Sequence, residues 1–163
     1  MMKCLAAFAA FTIFVAGMLA PRPLSAQGAA APGTLSVTFT GLRSTKGVLR
    51  VTVFDATNEG KGFPMDMKAA KFSQVIELSK VGGSGATQTT ITVPNLAPGA
   101  YATAAFHDEN NNDKMDSHWY GKPKEGTGAS NDPRPKMRAP KFGEAKFELP
   151  SGGKNVTVKM WYP

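Results

Sequence analysis

The stretch HDENNNDKMD, His107 to Asp116, packs four acidic residues and three consecutive asparagines into ten positions. Calcium takes six to eight hard oxygens, and a loop can present them from alternate residues. Counting Asp108 as the first ligand, Asn110, Asn112, Lys114 and Asp116 follow at every second place. Carboxylate, amide, amide, main-chain carbonyl and carboxylate would then face one centre, as in the opening of an EF-hand-type loop. Two places depart from that pattern. Asp113 stands where glycine is usual, and an aspartate enters left-handed backbone more readily than most residues. Trp119 stands where a bidentate glutamate is usual, which removes two oxygens unless water or Glu125 supplies them. Only Asp108 and Asp116 bring charge, so the expected affinity is weak, on the order of 0.1–1 mM. The competing reading is a hydrated asparagine turn with no ion.

Other chemistries have fewer supports. His107 and His118 flank the acidic run and, with Asp108 or Asp116, offer zinc or copper donors. A strand-end histidine next to an aspartate is more often a hydrogen-bonded structural pair. Ser130, His107 and Asp108 supply the residue types of a hydrolytic triad, but no GxSxG accompanies them. Glu125 and Asp132 could act as glycosidase acids only if something positioned them. The sequence therefore assigns no catalytic residue, and a non-enzymatic domain is expected. Trp119 and Tyr120, among the lysines from Lys122 to Lys141, suit a carbohydrate-binding surface instead.

The N-terminus sets the compartment. Lys3 precedes the apolar run CLAAFAAFTIFVAGMLA, and PRPLSAQ follows, with Ser25 and Ala26 before Gln27. This order reads as a secretory signal over residues 1–26, cleaved after Ala26, with a flexible leader over 27–33. A 17-residue apolar run followed by PRP is short for a membrane span. The single cysteine, Cys4, leaves with the signal, which excludes disulfides and thiolate sites from the remainder. The chain carries a formal charge of +7, and +5 once Lys3 and Arg22 are gone. Its basic residues are dispersed, which serves solubility. Export and the lack of an aromatic-studded basic stripe argue against nucleic acid. The expected location is the periplasm or the medium.

The elements that must position these residues read as strands. TLSVTFTGL, GVLRVTVFD, FSQVIELSK, TQTTITV, AYATAAFHD, AKFEL and NVTVKMWY alternate or run apolar, with turn chemistry such as PG, GG and SGG between them. MDMKAAKF, after Pro64, offers one or two helical turns at most. About seven strands over residues 34–163 predict an all-β, antiparallel β-sandwich with one long loop, and a small closed barrel is the alternative. Tyr101, Phe54, Phe106, Phe147 and Trp161 are expected in the core. The connections Asp55 to Ala70 and Asp108 to Ala139 exceed the ordinary loop length, and local function is expected there.

LAPGAYATAAFHDENNNDKMD, GKPKEGTGASND and PKFGEAKFEL together resemble the bacterial exported family known as domain of unknown function 2141. The matching positions are Pro98, Gly99, Tyr101, His107, Asp108, Glu109, Asn110, Asp116, Gly121, Pro123, Glu125, Gly126, Ser130 and Asn131. The resemblance spans Leu35 to Met160 and implies a sandwich similar to transthyretin-like or carboxypeptidase-regulatory domains, with no activity attached. Thr127 and Ala129 depart where the family tends to an aromatic pair, and Asn112-Asp113 where asparagine-glycine is frequent. The reading is thus an exported domain whose weak calcium ion orders SHWYGKPKEG for an envelope or extracellular partner, polysaccharide among the candidates. The alternative is a carbohydrate- or envelope-binding module that uses residues 117–141 without an ion.

Overall fold

The computed structural model describes residues 30–58, 61–81, 87–135 and 138–163. The expected signal over 1–26 and the first residues of the leader lie outside the described residues. Alternation became strand wherever it was regular. β1 (Gly33–Thr40) buries Leu35, Val37 and Phe39 and leaves the residues between them partly or fully in water. β2 (Val48–Asp55), β3 (Phe72–Glu77), β4 (Gln88–Leu96) and β5 (Gly99–Asp108) follow, then β6 (Gly126–Ala129), a one-turn helix α1 (Phe142–Ala145), β7 (Phe147–Leu149) and β8 (Lys154–Lys159).

The strands form two sheets, β4-β1-β8 and β3-β2-β5-β6, with β7 paired to the start of β5. Leu35, Val37 and Phe39 from one sheet meet Leu49, Val51, Val53 and Tyr101 from the other in a single core. The larger sheet is covered on its second face too. Ala102 and Ala104 of β5, Ala129 and Ala145 form a small cluster there, with Phe63 and Phe142 packed on it. Alanine is what lets the helix and the 61–66 segment approach so closely. Thr52 of β2 fastens that segment by donating to the Pro64 carbonyl at 2.9 Å.

All seven expected strands are present, and the structure adds two things. One is β6, whose GTGA carries no apolar alternation. Its glycines answer close approach: a Cβ on Gly126 would lie 2.2 Å from the Tyr162 ring, and one on Gly128 would lie 2.8 Å from the Lys159 carbonyl oxygen. The other is a correction: β8 runs parallel to β1, so the fold is not wholly antiparallel. Side-chain alternation is the same in both directions, and periodicity holds no information on strand polarity. The MDMKAAKF stretch forms hydrogen-bonded turns from Gly62 to Ala70 rather than a regular helix. Among the described residues, no helix is long and apolar enough to cross a membrane.

Candidate functional site

β5 ends by sending consecutive residues to opposite faces of its sheet. Register pairs His107 with Leu49 and Asp108 with Val48, so the histidine points into the core and the aspartate points outward. His107 is fully buried, and both ring nitrogens are engaged. The Lys46 carbonyl, 2.7 Å from Nε2, can only accept, so Nε2 carries the proton. Nδ1 then accepts from the Tyr162 hydroxyl at 2.7 Å. This histidine is a core strut tying the 46–47 turn to the C-terminal segment. Ser130 is equally engaged, donating to the Ala145 carbonyl at 2.5 Å and accepting the Thr103 N–H at 3.1 Å. The structure does not assemble Ser130, His107 and Asp108 as a triad. It likewise offers no histidine pair to zinc or copper, because His118 stacks on Tyr120 with ring centroids 5.0 Å apart.

Asp108 is fully buried and carries the acidic turn. Its Oδ1 accepts the Asn112 N–H at 3.1 Å, and its Oδ2 accepts the Asp113 N–H at 3.0 Å. Arg50 of β2 donates to the same Oδ2 from Nε at 3.1 Å and reaches Asp113 with its other arm. Arg50 is itself only 13% exposed in its side chain. Asp113 adopts φ +64°, the left-handed backbone expected at the sixth place of the loop, and Asn111 does the same at +57°. The turn has the anticipated left-handed backbone at Asp113, and the Arg50 guanidinium faces Asp108.

The five expected calcium ligands therefore do not share a centre in the expected way. Asp108 faces Arg50. Asn110 and Asn112 do gather on Asp116, but through their amide N–H groups, donating at 2.7 and 3.1 Å to its two oxygens. The oxygen of Asn110 accepts the Asn112 N–H and that of Asn112 accepts the Lys114 N–H. Among the described residues no group of three or more His, Asp or Glu side chains stands together as a metal centre. The structure does not support the five-ligand calcium site. The physical reason is that the charge of Asp108 is already answered by a protein cation.

A second clasp closes the loop. Glu125 is buried, and its two oxygens accept the Glu109 N–H at 3.2 Å and the Asp116 N–H at 3.1 Å. Burial pushes its carboxyl above the ordinary glutamate value, the two N–H donors oppose that, and the carboxylates of Asp108 and Asp116 add to it. Glu109 behaves oppositely. Its hydrogen bonds with Arg43 hold it below the ordinary value, with Ser44 assisting against burial. Arg43 also lies over the Tyr162 ring, 4.5 Å from its centroid.

The signs follow by linkage. The lowered carboxyl of Glu109 stabilises the fold above the ordinary glutamate range and loses that contribution as pH falls. The raised carboxyl of Glu125 does the reverse, favouring the fold when protonated and withdrawing that contribution as pH rises. Arg43 and Glu109 are partly exposed, so their pair is worth about 1 kcal/mol or less. Arg43→Gln should lower the melting temperature by roughly 2–4 °C at neutral pH. That gap should narrow as pH falls below the ordinary glutamate range and Glu109 takes up its proton. A gap unchanged in acid would assign the role of Arg43 to Tyr162 instead.

Beyond the turn the chain makes a short hairpin. Lys124 N–H donates to the Asp116 carbonyl at 2.8 Å, and Ser117 bridges Pro123. His118 N–H donates to Lys122, while Gly121 N–H, at φ +85°, returns to the His118 carbonyl. This three-residue loop with a left-handed third residue is a standard hairpin closure. It leaves Trp119 and Tyr120 at the tip. Trp119 is 95% exposed and Tyr120 55%. Their rings meet edge to face with centroids 5.4 Å apart. Trp161, also exposed rather than in the expected core, lies alongside β6 through its bridge to Thr127, with the Lys122 ammonium 5.4 Å from its ring centroid.

Sequence reasoning missed Arg50 and Tyr162. Alternation in GVLRVTVFD marks Arg50 only as a polar position between apolar ones. Two of the basic residues between Lys122 and Lys141 are paired locally. Arg134 bonds Asp132 at 2.7 Å, and Arg138 bonds Glu144 at 2.5 Å, holding that carboxyl down to about 2. Lys136 lies outside the described residues. A family model described as an uncharacterised protein conserved in bacteria, DUF2141, matches residues 37–159. No curated protein and no solved structure matches the chain.

Proposed function

The chain belongs to this bacterial DUF2141 family, whose description assigns no activity, and from that premise we propose that it is a non-enzymatic binding module that presents an aromatic tip to a polysaccharide or other envelope partner. The observation that carries the reading is the exposure of Trp119 at the end of a hairpin whose base is clasped by Glu125. An indole left in water yields its hydrophobic free energy only when a partner covers it. Flat aromatic faces suit the apolar faces of sugar rings, and Lys122 beside Trp161 supplies a donor or a cation nearby. The N-terminal sequence supports export to the periplasm or medium, and the two-sheet arrangement supports a transthyretin-like sandwich.

A glycan and envelope-polysaccharide array, read with and without chelator, tests this. Binding should survive the chelator. Trp119→Ala should weaken it about 30-fold or more, as removal of a central aromatic anchor does. The melting temperature should stay unchanged, since the indole touches little of the fold. Binding that is untouched by Trp119→Ala and Tyr120→Ala together would reject the proposal.

A further inference from the structure

A groove of about 560 Å³ runs along the outer face of the larger sheet, between the 62–70 segment and the acidic turn. Met65 and Met67 border it from one side and Met115 from the other, over a floor that includes Phe106. Among the described residues methionine occurs at four positions, and three of them line this one groove. The fourth, Met160, fills the core as methionine commonly does. The three groove methionines are instead half-buried, on loops otherwise rich in Asp, Lys and Gly.

Both loops are fixed in their backbones. Met65 N–H donates to the Gly62 carbonyl at 3.1 Å, and the next carbonyl toward the N-terminus, that of Pro64, accepts from Thr52. On the opposite side the residue after Met115 is clasped by Glu125. What stays adjustable is the thioether end, which has three rotatable bonds on an unbranched stem.

We infer that Met65, Met67 and Met115 form a thioether site for a soft monovalent metal ion, Cu(I). Neutral, polarisable sulfur selects Cu(I) over the hard divalent cations, which need oxygen donors. The carboxylates nearby have partners of their own: Asp113 pairs with Arg50, and Asp66 Oδ1 accepts the N–H groups of Lys68 and Ala69. Arg50, Lys68 and Lys114 border the groove against Asp66 and Asp113, and the charge of Arg50 is also shared with Asp108 buried behind it, so a monovalent ion meets little net opposing charge. No electron is transferred in this proposal; Cu(I) is bound as supplied. The site lies apart from Trp119, Tyr120 and Trp161 and does not depend on the binding tip.

The test is an anaerobic titration of the purified chain against Cu(I) held by the coloured chelator bicinchoninate. Cys4→Ser is carried throughout, so that no thiol competes. The protein should withdraw one equivalent and bleach the chelator complex accordingly, with a rise in its melting temperature. The variant Met65→Leu/Met67→Leu/Met115→Leu keeps similar side-chain volumes and should remain folded. It should withdraw none and show no melting shift with Cu(I). Failure of the parent protein to compete with the chelator would overturn the inference. So would equal withdrawal by the triple variant, which would leave the groove as an adaptable apolar surface.

Discussion

Arg50→Met lowers the stability of the domain by about 3–5 kcal/mol, or roughly 10–20 °C in melting temperature. The expectation follows from what is left behind. Asp108 has no exposure to water, and its carboxylate is held by Arg50 and by two backbone N–H groups. Methionine fills much of the volume of the arginine stem, so the change isolates the charge from the packing. A buried carboxylate without its cation must either carry an uncompensated charge or take up a proton, and both oppose folding at neutral pH. Adding Asp108→Asn to Arg50→Met should recover part of the loss, because the amide removes the orphaned charge and still accepts one N–H. Thermal and denaturant unfolding of the four proteins form a double-mutant cycle. A loss below about 1 kcal/mol for Arg50→Met would mean that the pair is only a surface contact.

Gly47→Ala is the second change expected to be severe. Gly47 has φ +69°, so any side chain there begins with a cost of about 1–2 kcal/mol. Space adds to it. A Cβ would lie 2.0 Å from the Asp108 carbonyl oxygen and 2.7 Å from the Glu109 Cα, and both are backbone atoms that cannot swing aside. Relieving the clash separates the turn before β2 from the end of β5, and with it the Lys46 carbonyl from the His107 ring. The total is about 3–5 kcal/mol. Gly121→Ala makes the informative contrast. Its φ is similar, at +85°, but a Cβ there meets nothing within 4 Å. It should cost about 1–2 kcal/mol and act only on the hairpin. Equal effects of the two substitutions would contradict the steric argument.

These two positions show where the sequence was transparent and where it was not. Alternation along TLSVTFTGL and TQTTITV identified β1 and β4 because each strand has one face in the core and one in water. β5 was legible for another reason: its small residues on both faces fit a strand covered on two sides. β6 was invisible because Gly126 and Gly128 are there for the room that Tyr162 and β8 need, a tertiary demand without a local pattern. The acidic loop was half legible. Spacing of Asp108, Asn110, Asn112 and Asp116 forecast a tight turn with Asp113 in left-handed backbone, and that turn is present. The identity of its counter-charge depended on Arg50, 58 residues away in sequence and brought alongside by the pairing of β2 with β5. Nothing near the loop could announce it. The exposure of Trp119 was likewise set by the hairpin closed at Gly121, not by the hydrophobicity of the residue.

The acidic turn is built around Asp108 and its Arg50 counter-charge, and the hairpin beyond it ends in an exposed aromatic tip. Calorimetric melting of the purified protein in chelator and in millimolar calcium tests this arrangement most directly. The same melting temperature is expected in both, with no heat on titration, because the buried carboxylate of Asp108 is paired with Arg50. A rise of several degrees with calcium, abolished by Asp116→Ala, would contradict it and restore a metal ion as the organiser of the loop.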